Sequence, residues 1–326
     1  MTIRSLLYDA HGRDATVEVV PGTIEGLGDD QLLWIDIEGG EVSSALVETL
    51  GITAKIIARV TDLERKPYLD NYSDLFAFAV DAPDRTNADR TGNGSLSGVQ
   101  LGFVVGKRYL LTIHRSPVKY ISDFTAQDKG ETAIGQLSPA SLASALLDWH
   151  LTQFFEEVAE IETAVDEIDQ EILGKVSRHD VLRDIVAVRA RVSRLRTILA
   201  GQRPIFYGFA RPDFALNFDE PTLAAFTGLR DRYERAIDEV ERTRDVAVGS
   251  FELFTSVTTQ QTNDLVKALT FLTAIVGLCA AVAGLLGMNF KLALFDTGLR
   301  GFLIVTGSLL AVALASLGFA KWRDWL

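Results

Sequence analysis

KALTFLTAIVGLCAAVAGLLGMNF, residues 267–290, is the stretch around which the chain is organised. From Ala268 to Asn289 it holds no ionisable side chain except the thiol of Cys279. About 20 apolar residues suffice for a helix to cross the hydrocarbon core of a bilayer. The run closes on Gly287-Met288-Asn289, and after residues 290–300 a second apolar run, Gly301 to Ala320, returns. Spans of about 267–287 and 301–320, joined by a short loop, predict a two-helix transmembrane hairpin. The chain then ends on Lys321-Trp322-Arg323-Asp324-Trp325-Leu326.

Small and polar residues are ordered within the first span. Asn263, Thr270, Gly277 and Gly284 recur every seven residues, as do Val266, Thr273, Ala280 and Gly287. Such a/d-type spacing keeps one helix face toward a supercoil axis. The bulky Leu269, Phe271, Leu272, Ile275, Leu278, Val282 and Leu285 fall mostly elsewhere. Two readings are open: close helix packing through small residues, or a water-lined pore wall, which requires several copies of the chain. Ser256 and Thr259 continue the stripe toward the N-terminus.

Upstream of the span there is no proline from Thr222 onward, and Asp219-Glu220-Pro221 reads as a helix start. A helix of ~65 residues would be roughly 100 Å long and needs partners along it, as a stalk bundled with its copies would have. From Ser138 to Leu173 the pattern is also helical, and no Lys or Arg occurs between Lys129 and Lys175. Glu156, Glu157, Glu160, Glu162, Asp166, Glu167, Asp169 and Glu171 make that helix acidic. Ser177-x-x-Asp180 resembles a capping box and opens a basic helix with Arg178, Arg183, Arg189, Arg191, Arg194 and Arg196. The two suit an antiparallel pair. The acidic face reads either as a paired, solvated surface or as an attractor of cations.

Residues 1 to about 118 mix strand and helix signals. Strands are expected at Ser5–Asp9, Ala15–Val20, Leu32–Ile37 and Leu75–Val80, with a hairpin of Gly98–Val105 and Tyr109–His114 turning at Gly106-Lys107. Helices are expected at Glu41–Leu50 and Thr53–Leu63, and Arg85 to Ser97 reads as a loop. The fold class is therefore an α/β domain (1–130), a helical hairpin with a long α-helical stalk (131–264), and an all-α transmembrane hairpin (265–326).

The net charge of −12, with pI near 4.9, argues against nucleic acid as a partner and suits attraction of cations. The single cysteine, Cys279, excludes a disulfide framework or zinc-thiolate site within one chain. His11, His114, His150 and His179 have no metal-ligand spacing, and there is neither a catalytic constellation nor a phosphate-binding glycine loop. An enzyme or an ATP-driven pump is not expected. The start MTIRSLLYDAHGRD lacks the regions of a signal peptide, which places residues up to about 260, and both termini, in the cytoplasm.

Asn263-x-x-x-Lys267-x-Leu269-Thr270, Gly-Met-Asn-Phe at 287–290, a second span and a basic-aromatic end together resemble the CorA-type divalent cation transporters. LLWIDIEG, KPYLDNYSDLFAFAVDAP and VQLGFVVGKRYLLTIHRSP are similar to segments of that family's cytoplasmic domain. The resemblance implies a homopentameric funnel in an inner or plasma membrane, passing divalent metal without a cofactor. It implies that Gly287, Met288 and Asn289 form the selectivity filter at the outer mouth, and that Asn263, Thr270, Thr273, Gly277, Ala280 and Gly284 line the pore. It also implies closure by intracellular metal held between subunits, for which Asp81, Asp84, Asp231 and Asp238 are candidates, though each also reads as an ordinary surface carboxylate.

Magnesium holds its water tightly, so Asn289 carboxamides can accept hydrogen bonds from the hydration shell without stripping it. Glycine at 287 permits close backbone approach and a sharp turn, and Met288 anchors the turn or simply packs. The chain departs from the family pattern at Leu286, where tyrosine is common, and by lacking a mid-span proline near Gly277. In place of an acidic M-P-E-L loop it has KLALFDTGLR, in which Asp296 faces Lys291 and Arg300 for a formal +1. Magnesium transport, with cobalt or nickel, is the first expectation. ZntB-like, proton-coupled zinc transport is the second, and a membrane-anchored scaffold without transport is the third.

Overall fold

The computed structural model describes residues 2–40, 42–62, 66–72, 74–84, 96–127, 133–174, 178–215, 218–288 and 298–322. In chain order the elements are β1 (Thr2–Asp9), β2 (Ala15–Thr16), β3 (Gln31–Glu38), α1 (Ser44–Thr49), α2 (Ala54–Val60), β4 (Tyr68–Asn71), β5 (Phe76–Asp84), β6 (Ser97–Val105) and β7 (Tyr109–His114). Helices follow: α3 (Lys119–Gln127), α4 (Pro139–Leu173), α5 (Arg178–Gly201), α6 (Arg203–Gly208), α7 (Pro212–Ala215), α8 (Glu220–Leu286) and α9 (Leu299–Trp322). They group into two compact units, Met1–Phe251 and Glu252–Leu326.

In the first unit the strands form one sheet of order β2-β1-β3-β7-β6-β5-β4. All pairs are antiparallel except β3 with β7, which run parallel from Leu33↔Tyr109 to Glu38↔His114. Both of these central strands are covered on both faces, which explains their near-continuous apolar sequences LLWIDI and YLLTIH. On one face Leu33, Ile35, Ile37, Val104, Leu111 and Ile113 pack with Leu46, Leu50, Ile56 and Val60 of α1, α2 and their flanks. On the other, α4 packs against β5, β6 and β7. Phe76, Phe78, Phe209, Phe214 and Phe226 pack edge to face and in stacks between sheet and helices.

The structure corrects several boundaries. The strand expected over Ala15–Val20 is only Ala15–Thr16, because pairing with β1 covers just Leu6↔Thr16 and Leu7↔Ala15. The helices expected from Glu41 and Thr53 start at Ser44 and Ala54; Ser43 Oγ accepts from the Leu46 backbone N–H and sets the first start. Leu63, the expected end of the second helix, lies outside the described residues. The hairpin turn is Lys107-Arg108, one residue later than expected, since Gly106 N–H donates to Tyr109 O at 3.0 Å and closes it. Gly106 is required for another reason: a Cβ there would meet the Tyr109 ring at 2.4 Å. Strand β4 and helices α3, α6 and α7 lay outside the sequence expectations.

Helix α4 starts where Ser138-Pro139 predicts, with Ser138 Oγ accepting from Ser141 N–H at 3.1 Å. Its buried Ile161, Val165, Ile168 and Ile172 and the buried Val181, Ile185, Val188, Val192 and Leu195 of α5 are the apolar faces of an antiparallel pair. Ser177 of the proposed capping box lies outside the described residues. Helix α8 begins at Glu220, where Asp219 Oδ1 accepts from Thr222 N–H at 3.2 Å. Its Phe226, Leu229, Tyr233, Ala236 and Val240 are buried, and Tyr233 Oη donates to Leu199 O at 3.0 Å.

The second unit holds the end of α8 and all of α9. Both helices are long and apolar enough to cross a membrane, with mean hydropathy of 2.2 and 1.8 over their most apolar windows.

Candidate functional site

Geometry along the last part of α8 separates three kinds of residue. At ~100° per residue, the half-covered Ala268, Phe271, Ile275, Cys279 and Val282 share one face of the helix. Asn263, Thr270, Thr273, Gly277, Ala280 and Gly284 are all exposed and fall on the opposite face. Thr259 lies on the same line. The half-covered Val305, Leu309, Ala313 and Ser316 of α9 have the spacing of a matching apolar stripe. The exposed stripe carries no charge. Asp264, on the line of the half-covered face, and Lys267, between the two faces, pair with each other at 2.9 Å.

Gly287 N–H donates to Ala283 O at 3.0 Å, and Met288 N–H to Leu285 O at 3.3 Å, so the last turn tightens as α8 ends. Gly287 does not take a positive φ; Gly298, just before α9, does, at 61°. Met288 is 54% exposed. Asn289 lies outside the described residues, as do Lys291 to Thr297.

The four candidate regulatory carboxylates occupy two places. Asp81 and Asp84 sit at the end of β5, and Asp231 and Asp238 are exposed on α8. Asp81 is half-buried beside its cross-strand partner Gln100; burial pushes its carboxyl above the usual range, and a hydrogen bond from Gln100 opposes this. Asp231 pairs with its neighbour Arg230 at 3.2 Å. Among the described residues no group of three or more His, Cys, Asp or Glu side chains could hold a metal ion.

The fold does bring Asp84 to the acidic helix. A cavity of about 260 Å³ is lined by Asp84, Lys119, Gln153, Glu156, Glu157 and Glu160, among others. Two cations pair with three of its four carboxylates: Lys119 meets Glu156 at 2.6 Å, and Arg191 reaches Glu157 at 2.9 Å and Glu160 at 3.5 Å. These pairs account for Glu156, Glu157 and Glu160 of the acid-rich face. The separation of residues 84 and 156 in the chain hides the neighbourhood from sequence.

A family model described as CorA-like Mg2+ transporter protein matches residues 29–321. The chain belongs to that family. Among curated CorA-family relatives, the cobalt/magnesium transport protein CorA of Thermotoga maritima is 24% identical over 194 residues, covering 57% of this chain and 52% of that protein. The chain thus spans about half the length of that relative. The cobalt/magnesium transport protein CorA of Methanocaldococcus jannaschii is 20% identical over 302 residues, 91% of this chain and 92% of that protein. The complete structure of the CorA magnesium transporter from Methanocaldococcus jannaschii superposes with a TM-score of 0.76 at 18% identity, over 100% of both chains. The ZntB cytoplasmic domain from Vibrio parahaemolyticus gives a TM-score of 0.60 at 12% identity, over 80% of this chain and 100% of that one. At these identities the CorA and ZntB structures speak for a shared fold. The predicted α/β domain, long helix and apolar helix pair are present in this chain.

Proposed function

We propose that several copies of this chain form a membrane conduit through which divalent cations pass down their electrochemical gradient, with magnesium favoured and cobalt and nickel accepted. The carrying observation is the exposed, uncharged stripe on α8, set opposite the face that is half-covered. One helix cannot enclose a pore, so the stripe faces its equivalents in a homo-oligomer, a pentamer by family resemblance. A second apolar helix laid against the half-covered face would leave the stripe free for that role.

Asn263, Thr270, Thr273, Gly277, Ala280 and Gly284 then line the pore, and Gly287, Met288 and Asn289 form its outer filter. Oxygen acceptors suit a hard ion that keeps its water. The one soft ligand in the span, Cys279, is on the half-covered face. A divalent ion gains about 4.6 kcal/mol per 100 mV of inside-negative potential, enough to drive uptake without ATP. The larger unit and both termini are placed in the cytoplasm of a cell with an inner or plasma membrane. Asp81 or Asp84 of one copy and Asp231 or Asp238 of the next hold the intracellular metal that closes the pore.

One feature favours a second reading. Lys291 and Arg300 outweigh Asp296 in the loop between the spans, giving a positive mouth that disfavours cation entry over a screening distance of ~8 Å. That departure from the acidic loop implied by the resemblance keeps proton-coupled zinc transport as the second reading.

The test is uptake of magnesium, zinc, cobalt and nickel, each alone, into liposomes holding the purified protein. Asn289→Ala is run beside the wild type, with and without a pH gradient. Magnesium uptake that the substitution abolishes and the gradient leaves unchanged supports the first reading. Zinc uptake that grows with an inward proton gradient transfers the case to the second. No uptake of any ion leaves the hairpin as an anchor.

A further inference from the structure

Asp36 of β3 and His114 of β7 meet near the ends of the two parallel strands, and both are buried. Their neighbours fix the direction of each hydrogen bond. The Trp34 indole can only donate, and its Nε1–H meets Thr112 Oγ1 at 3.1 Å. The Thr112 hydroxyl hydrogen is thereby left for Asp36 Oδ1. His114 Nε2 lies 3.2 Å from Asp36 Oδ1 and 3.4 Å from Oδ2, while Nδ1 lies 2.6 Å from the Ser116 carbonyl oxygen. A backbone carbonyl only accepts, so Nδ1 carries a hydrogen; an ionised carboxylate demands one on Nε2 as well. Both ring nitrogens donate, and His114 is an imidazolium. A neutral ring has one N–H and would leave one of these acceptors without its donor in a site closed to water.

The surroundings support the charge. Glu38 lies opposite His114 in the β3–β7 pair, and Arg4 of β1, which is exposed, lies opposite Asp36. Arg115, next in the chain, is exposed, and β6 places the apolar Leu101 opposite the ring. Tyr120 of α3 is buried nearby, with its ring 5.5 Å from that of His150 of α4. Burial pulls the His114 pKa down, but Asp36, the Ser116 carbonyl and Glu38 outweigh it and raise it above the usual 6.5.

We propose that His114 and Asp36 form a pH-operated latch, in which the imidazolium clamps the β7–α3 connection to the sheet through Ser116 and releases it on losing a proton. The bond to the carboxylate is the stronger of the two, so a neutral ring keeps its hydrogen on Nε2 and lets Ser116 go. Pro117, Val118 and Lys119 follow directly and line the acidic cavity, where Lys119 pairs with Glu156. Alkaline pH therefore loosens one wall of that cavity. The latch is whole below pH 6.5 and is lost as pH rises through the higher folded value.

The test measures amide hydrogen exchange of the full-length protein in peptides covering residues 115–121, from pH 6 to pH 9. Rates are divided by those of the unstructured sequence to remove their intrinsic pH dependence, and peptides from β5 serve as the control. Protection of 115–121 is expected to fall above pH 6.5, by about tenfold for each pH unit separating the folded pKa from 6.5, while β5 stays level. His114→Gln should abolish the fall and Asp36→Asn should shrink it. Nitrogen-15 NMR of a His11→Gln, His150→Gln, His179→Gln variant reads the His114 ring without altering the latch, and both nitrogens are expected to be protonated at pH 6.5. Level protection in the wild type, a fall undiminished in either latch variant, or a ring with one bare nitrogen at pH 6.5 overturns the proposal.

Discussion

Nε2 of His150 and the carboxamide oxygen of Gln202 lie 2.8 Å apart in a site closed to solvent. The Gln202 nitrogen donates to Asp81 O at 2.8 Å and Ile198 O at 3.2 Å, so its oxygen is the acceptor for His150. The imidazole proton therefore sits on Nε2, and Nδ1 is buried without a partner. Gln202 thereby ties α4 and α5 to the end of β5.

Charging His150 would place an unpaired N–H in this interior, and burial pushes its pKa down to about 4 against the opposing pull of Gln202. An unfolded chain takes up that proton near pH 6.5, the folded one only near pH 4. Stability is thus expected to fall as pH falls through this window, by on the order of 3 kcal/mol in all. Thermal unfolding at intervals from pH 7 to 4 should show the slope, and His150→Gln should flatten it. An unchanged slope in the variant assigns the acid sensitivity elsewhere.

Asp81 has the opposite sign. Its raised pKa means the folded state binds the proton more readily, so this group subtracts stability as pH rises above the ordinary carboxylate range. Asp81→Asn should raise the melting temperature at pH 7 and leave it unchanged at pH 3. If Asp81 also holds the closing metal, the same variant should retain uptake at internal magnesium levels that shut the wild type.

Arg191 and Glu157 are 12% and 9% exposed in their side chains, so neither can turn to solvent if the other is removed. Arg191→Met alone should cost about 3 kcal/mol by taking the guanidinium away from the buried Glu157 carboxylate. Adding Glu157→Gln should recover most of that loss. Denaturant midpoints of the single and double variants measure the coupling; additive losses would contradict a paired, structural role for this part of the acidic helix.

Gly102 on β6 lies under Val60 of α2: a Cβ there would meet Val60 Cγ1 at 2.6 Å and Val60 O at 3.0 Å. Because a backbone oxygen is involved, side-chain adjustment alone cannot relieve the contact. Gly102→Ala should destabilise the α/β unit by ~1–3 kcal/mol. A chemical denaturation midpoint equal to that of the wild type would show that α2 shifts freely on the sheet.

Long, strongly patterned segments were legible from residues alone. Helix α4 is bounded by Ser138-Pro139 and ends at the predicted Leu173, and the apolar strands β3 and β7 stand out because both faces are buried. Strand β4 was hidden because Tyr68–Asn71 is an edge with polar Asp70 and Asn71, and its strand character comes from pairing with β5. Helix α3 was hidden because it buries only the adjacent Tyr120 and Ile121, too few to mark a repeating face. The turn was misplaced because Gly106 looks like a turn glycine, while its lack of a side chain serves the Tyr109 ring. At the candidate site, the heptad spacing of Asn263, Thr270, Gly277 and Gly284 was readable, but which side of the helix is covered was not. Nor could spacing reveal that Asp84 meets Glu156, Glu157 and Glu160, since that proximity is made by the sheet and α4 together.

The most direct test of a conduit along α8 replaces Cys279 with alanine and introduces single cysteines at Thr270, Thr273 and Ala280 on the stripe, and at Leu272 and Val276 off it. Magnesium uptake into liposomes is measured before and after a small, charged, membrane-impermeant thiol reagent. Block is expected at 270, 273 and 280, with uptake at 272 and 276 unaffected. Block at 272 and 276 with none on the stripe would contradict it.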